Sequence, residues 1–225
     1  MESKFRRWIK RNVRVGVRRA AKSALFEIEA AGRTSWSKLV FSPPEQNKIK
    51  LNIGAGFNRK EGWINVDLGS SADVRTDVRR KLPFRDGSVS MVYSEHFFEH
   101  LEYPEETMAF LSESFRVLEP GGLFSVGVPD TELCLKAYFT GEFSPPSLGL
   151  QPIDWCETPM QYLNFLFHQG GEHKQLYDKA TLIKVLTSAG FCEIERREFD
   201  PLLDSEGRKL GTLYVDARKP YQQNS

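Results

Sequence analysis

Two short apolar runs, each ending on a residue suited to meeting a ligand, constrain this chain more than any other feature. Ile49 to Ile53 reads as a strand running straight into Gly54-Ala55-Gly56, and Trp63 to Val66 reads as a second that closes on Asp67. In open parallel sheets, ligands sit beyond the carboxyl ends of the strands, and the first strand-to-helix turn is the usual place. Gly54 and Gly56 remove the Cβ atoms that would keep a ligand off the backbone, and a helix expected to follow would present free amides. A carboxylate at the tip of the second strand can accept hydrogen bonds from both hydroxyls of a ribose. Asp77, at the tip of a weaker third strand (Ala72 to Asp77), could accept the exocyclic amine of an adenine packed near Leu82-Pro83-Phe84. Read singly, the glycines could serve tight packing, Asp67 a helix cap or turn and Asp77 a solvated loop; their convergence on one crevice argues for a nucleoside. Arg59 occupies the place of the third glycine of a dinucleotide fingerprint, and no Gly-Lys-Ser/Thr follows, which excludes a phosphate-binding loop of the Walker type.

The rest of the body continues the alternation. Val89 to Tyr93 is a fourth strand and Pro104 to Leu118 a helix, with proline in its first turn and Gly121-Gly122 as its stop; Leu123 to Val128 is a buried fifth strand. Asp178 to Ala189 is a helix closed by Gly190, and strands Phe191 to Phe199 and Gly211 to Ala217 form a hairpin across Asp204-Ser205-Glu206-Gly207. Strands alternating with helices predict an α/β fold: a mostly parallel sheet, helices on both faces and an antiparallel C-terminal hairpin. Residues 131–177 are poorly periodic and rich in aromatics, most of which fit the core of a small subdomain. The expected division is an N-terminal arm and linker over 1–45 and a catalytic-type domain over 46–225, with 131–177 as an acceptor-binding insert.

Charge separates these two parts. Of 31 basic and 30 acidic residues, nine basic side chains and Glu2 alone fall in residues 1–24; the remainder carries 22 basic and 29 acidic residues. Phe5, Trp8, Ile9, Val13, Val17, Ala20, Ala21, Ala24, Leu25 and Ile28 recur at spacings of three and four among the basic residues, predicting a basic amphipathic helix weakened near Gly16. Residues 1–28 suit an anionic membrane surface; docking on the acidic body or a second subunit, nucleic acid, and an organelle transit peptide stay open. No apolar stretch of about 7 to 15 residues follows the charges, so a secretory signal is not expected. The acidic body argues against a nucleic-acid groove. No run approaches the ~18 apolar residues of a membrane span, and three cysteines without Cys-x-x-Cys spacing argue against a disulfide framework or structural zinc. A cytoplasmic protein, in part at a membrane surface, is the expectation.

In these stretches the chain resembles the class I S-adenosylmethionine-dependent methyltransferases, in a type 11-like branch with a short second motif. The matching segments are Leu51 to Gly56, Gly62 to Leu68, Leu82 to Val89, Ser94-Glu95-His96-Phe97-Phe98-Glu99-His100-Leu101, Arg116 to Gly122 and Ala189-Gly190-Phe191. The resemblance implies a Rossmann-like seven-stranded sheet and S-adenosylmethionine as cofactor. Its methionyl part would lie near Asn52, Gly54, Ala55 and Gly56, its ribose at Asp67 and Leu68, and its adenine at Asp77 and Val78. Ser94, Glu95 and His96 would line the transfer site. Asn52 stands where many relatives carry an acid, and Glu95 or Asp67 could supply the missing negative potential.

The cofactor carries the reactive methyl group, so the protein must align an acceptor and, where needed, remove its proton. The slot Tyr93-Ser94-Glu95-His96 lacks the Asp/Asn-Pro-Pro-aromatic tetrad of base-amine methylation, and no cysteine follows a proline as C5-pyrimidine chemistry requires. Glu95 and Asp130 alone do not make a metal centre, and none is expected. His96 and His173 are the candidate bases, the second through the family's histidine four residues before an aromatic, here Tyr177; His100 and His168 are weaker candidates, and Asp130 is expected to point toward the crevice. The expected reaction is methyl transfer to an oxygen or nitrogen of a saccharide or other small metabolite, lipid-linked acceptors included. An RNA or protein acceptor, or a cofactor-binding module without catalysis whose arm recruits partners, are the alternatives.

Overall fold

The computed structural model describes residues 13–42 and 48–221. Seven strands form one sheet: β1 (Ile49–Ile53), β2 (Ile64–Asp67), β3 (Val74–Arg75), β4 (Val89–Glu95), β5 (Leu118–Pro129), β6 (Cys192–Arg197) and β7 (Thr212–Arg218). Their order is β3-β2-β1-β4-β5-β7-β6. The first five pair in parallel, and β7 runs antiparallel to both β5 and β6. Among the described residues five α-helices accompany them: α1 (Val15–Val40), α2 (Glu105–Val117), α3 (Thr131–Thr140), α4 (Pro159–His168) and α5 (Lys179–Ser188).

Leu51, Ile53, Val66, Val89 and Val92 are buried, as the continuous apolar runs of a covered parallel sheet require. Helix α2 starts with Glu105 and Glu106, which complement the positive end of the helix dipole, and buries Thr107, Phe110, Leu111, Ser114 and Val117 on one stripe. Phe110, fully buried, contributes about 1.5–3 kcal/mol of apolar transfer. Asp178 caps α5 by accepting from the Thr181 amide at 2.7 Å, and Gly190 follows at φ +93.

The structure departs from the sequence expectations in several places. Among the described residues no helix follows the glycine turn; residues 54–63 reach β2 through turns alone, too short a connection for a helical crossover. Gly121-Gly122 does not stop a helix: α2 has ended at Val117, and the pair lies inside the long β5. There Gly121 is left-handed at φ +77 beneath the Tyr221 ring, which a Cβ would strike at 2.4 Å. The hairpin connection is a longer loop over 198–211, pinned where Arg197 grips the buried Asp204 carboxylate at 2.6 and 2.7 Å and Tyr93 donates to it at 3.0 Å. The insert contains α3 and α4, and Cys134 of α3, Leu163 and Leu166 of α4 and Leu148 of the segment between them form a small separate core.

The amphipathic arm continues further than its basic segment suggested, as α1 to Val40. Phe5, Trp8, Ile9 and the linker from Pro43 to Asn47 lie outside the described residues. Ala30, Thr34 and Ser37 face the body and are buried. Thr34 Oγ1 accepts from the Asp77 amide at 2.8 Å, and Arg33 donates to the Leu68 carbonyl at 2.5 Å. No helix among the described residues is long and apolar enough to cross a membrane.

Candidate functional site

The carboxyl ends of β1 to β4 enclose a cavity of about 240 Å³ lined by Gly54, Asp67, Leu68, Asp77, Val78, Phe97 and His100, with Phe26 of α1 along one side. Gly54 and Gly56 adopt φ +69 and +49, conformations that L side chains rarely take. A Cβ on Gly54 would come within 2.4 Å of the Phe97 ring, whereas one on Gly56 would meet open space. Asp67 holds the turn from β2: Oδ2 accepts from the Gly56 amide at 3.0 Å and Oδ1 from the Gly69 amide at 2.6 Å. A carboxylate has about four acceptor positions, so two bonds leave capacity for a diol.

Asn52 is buried behind this turn rather than in the cavity wall. Its amide nitrogen donates to the Asn58 carbonyl at 2.8 Å and to Asn65 Oδ1 at 2.9 Å. An aspartate there would have no proton for either acceptor, a physical reason for the amide. Asp77 lines the cavity, but its carboxylate is engaged by the Arg79 amide at 3.0 Å and guanidinium at 2.9 Å. Burial alone would raise this carboxyl; the Arg79 bonds outweigh it and hold it below the usual carboxylate range. Arg79 also reaches Glu27 of α1 and Glu106 of α2.

Of the residues expected at the transfer site, the structure brings only His96 to a cavity. The Glu95 carboxylate accepts from Ser205 Oγ at 2.5 Å and Tyr214 Oη at 3.0 Å, fastening the loop before β7. Ser94 and Ala55 are buried in the sheet and its turn. Asp130 does not face the crevice; it caps α3, accepting from the Leu133 amide at 3.0 Å.

A second cavity, about 430 Å³, opens between the sheet edge and the insert and is lined by His96, Glu99, His100, Tyr162, Phe165, His173 and Arg208. His100 borders both cavities. The distant His173 arrives because the Lys174 and Gln175 amides donate to the Glu99 carbonyl at 2.8 and 3.2 Å, and Tyr177 stacks on Phe98 at 5.1 Å. His96, at φ +51, approaches Thr212 Oγ1 to 2.8 Å through Nε2. Burial, then the charges of Arg208 and the neighbouring histidines, push its pKa down to about 2. Burial pushes the Glu99 carboxyl up to about 8, and among the described residues neither of its oxygens has a hydrogen-bond partner. Glu99 escaped the sequence reading, although the repeated Glu-His pair of Glu95-His96 and Glu99-His100 was its visible signal.

A parallel sheet with a glycine turn at β1, a carboxylate at the tip of β2 and a cavity across the strand ends is a Rossmann-type α/β arrangement. A family model described as a methyltransferase domain matches residues 58–126. A probable S-adenosylmethionine-dependent methyltransferase of Mycolicibacterium smegmatis is 28% identical over 134 residues, 60% of this chain and 46% of that protein. This chain thus spans about half the length of the curated relative it matches. Among solved structures, an Archaeoglobus fulgidus SAM-dependent methyltransferase aligns at 20% identity and TM-score 0.49, over 76% of this chain and 86% of that one. Phosphoethanolamine N-methyltransferase 2 of Haemonchus contortus, in complex with S-adenosyl-L-methionine, aligns at 14% and 0.46, over 80% and 50%. Over residues 58–126 the chain is thus similar to a methyltransferase domain, and over 134 residues to an S-adenosylmethionine-dependent methyltransferase.

Proposed function

We propose that the protein transfers a methyl group from S-adenosylmethionine to an oxygen or nitrogen of a saccharide or other small metabolite. The observation that carries this reading is the meeting of two cavities at His100, one ringed by Gly54 and Asp67 and the other by His96, Glu99 and His173. The residues present suit the cofactor: the open space at Gly56, the spare acceptor capacity of Asp67 and the apolar Leu68 and Val78. When bound, it supplies a methyl group already activated on a sulfonium. Tyr162 and Phe165 offer faces for a sugar or ring, while His96 and His173 flank the acceptor and orient it. The second cavity suits a small molecule better than a folded macromolecule, which favours a metabolite over RNA or protein.

Calorimetry with S-adenosylmethionine and its demethylated product tests the cofactor site. One molecule bound per chain is expected, weakened roughly 10- to 100-fold by Asp67→Ala, the equivalent of about 1.5–3 kcal/mol for hydrogen bonds to a charged group. A folded wild type that binds neither compound refutes the reading. Against a library of hydroxyl and amine acceptors, His96→Ala and His173→Ala are expected to lose turnover while retaining cofactor binding.

We also propose that α1 rests on an anionic membrane surface, where a lipid-linked acceptor would be met. Docking on the body accounts for its inward face, but Leu25, Ile28 and Trp36 on the outward face are 62, 70 and 67% exposed, and the basic residues concentrate in the same arm. Co-flotation with vesicles containing phosphatidylserine, and its loss in the triple serine variant of Leu25, Ile28 and Trp36, is the expected result. Equal flotation of both proteins defeats it.

A further inference from the structure

Glu99, His100 and His173 bring one carboxylate oxygen and two ring nitrogens within 4.8 Å of one another at the boundary of the two cavities. His100 Nε2 and His173 Nε2 stand 4.0 and 3.9 Å from Glu99 Oε1, and His96 Nδ1 stands 3.6 Å from the same oxygen. Each separation is too long for a hydrogen bond. Each is close to what ligands of one ion would show, since bonds of about 2.0–2.2 Å put tetrahedral ligands roughly 3.4 Å apart.

The ring orientations carry the argument further. His173 Nδ1 lies 2.5 Å from the Leu166 carbonyl and His100 Nδ1 lies 3.2 Å from the Glu172 carbonyl. A carbonyl only accepts, so in both rings Nδ1 carries the proton and the neutral ring turns an Nε2 lone pair toward Glu99. Backbone carbonyls fixing the tautomer from behind is the arrangement that surrounds metal-ligating histidines. Glu99 itself is 1% exposed with both oxygens unpartnered among the described residues. Two lone pairs and a buried carboxyl facing one another need a positive charge in their midst, a proton held on Glu99 or a cation bound by all three.

We propose that Glu99, His100 and His173 bind a divalent first-row transition ion of the zinc class, with His96 at its flank and a coordination position open to the larger cavity. Two imidazoles and one carboxylate suit zinc or iron(II) better than calcium or magnesium, which prefer all-oxygen shells. The site deepens the proposed methyl transfer, and only its consequence for the acceptor rests on that reading. An ion there selects an acceptor that offers an oxygen ligand, such as a hydroxyl of a vicinal diol, and lowers the cost of releasing that oxygen's proton to water.

The test uses the full chain, free of any histidine tag and stripped with a chelator, titrated with Zn²⁺ by calorimetry and with Co²⁺ by visible absorption. One ion per chain at micromolar affinity or tighter is expected, with cobalt absorption bands of a low-symmetry site. Glu99→Gln and His173→Ala are each expected to weaken binding at least 100-fold, while exposed His168→Ala leaves it unchanged. Circular dichroism and cofactor calorimetry on each variant report folding. Should a variant fail to fold, the wild-type titration decides. A wild type that binds no Zn²⁺ or Co²⁺ while still binding S-adenosylmethionine overturns the metal site alone, as does a folded Glu99→Gln protein that binds as tightly as wild type. Zinc bound without S-adenosylmethionine upholds the site and counts against the transfer reading.

Discussion

At the scale of single residues, the cavity at the strand ends is shaped as much by groups behind its wall as by those lining it. Asn52 joins two segments of the turn through one amide. Asn52→Asp keeps its size but puts an oxygen against the Asn58 carbonyl, and the expected cost is about 1–3 kcal/mol, the range for a buried polar group left unsatisfied. Thermal unfolding checks this, and an unchanged midpoint would mean that the turn is held without it. Gly54, Gly56 and Asp67 were legible in the sequence because their requirements are local: a left-handed backbone, a missing Cβ, a strand tip. The environments of Glu95 and Asp130 were not. Both stand at strand ends, where the crevice is expected, but Glu95 is taken by Ser205 and Tyr214 of distant segments, and Asp130 by the Leu133 amide of a helix that the poorly periodic insert conceals.

At the scale of elements, helix α1 is tied to the strand ends through Asp77, whose amide meets Thr34 and whose carboxylate meets Arg79. Because the folded-state pKa of Asp77 is depressed, this bond adds stability above the carboxyl's unfolded value near 4 and loses it as pH falls through the lower folded value. Asp77→Asn should therefore lower stability by about 1–3 kcal/mol at pH 7, with the gap closing as both proteins are acidified below pH 4; melting curves across that range decide it, and a gap independent of pH would contradict the assignment. The buried strands were readable from sequence because apolar runs bounded by glycine and acid have few other uses. The missing helix after β1 was not, since nothing in Phe57 to Trp63 forbids a helical turn; the short span to β2 does. Helices α3 and α4 were obscured by an insert that buries its own small core and so lacks the sheet's strict pattern.

At the scale of the whole molecule, the order β3-β2-β1-β4-β5-β7-β6 gathers the glycine turn, Asp67 and the Glu99-His100 pair at one end of the sheet, while the insert folds His173 over them. That closure is non-local and left no mark on sequence spacing beyond the histidine itself. Arg79 spans a comparable distance: its guanidinium joins Glu27, Asp77 and Glu106. On the ribosome, Glu27 emerges roughly 80 residues before Glu106, about 4–16 s of synthesis at 5–20 residues per second. Until then the nascent N-terminal helix has no completed anchor, and whatever shields its oily flank during that interval, a chaperone or a lipid leaflet, reaches it before the rest of its own fold does.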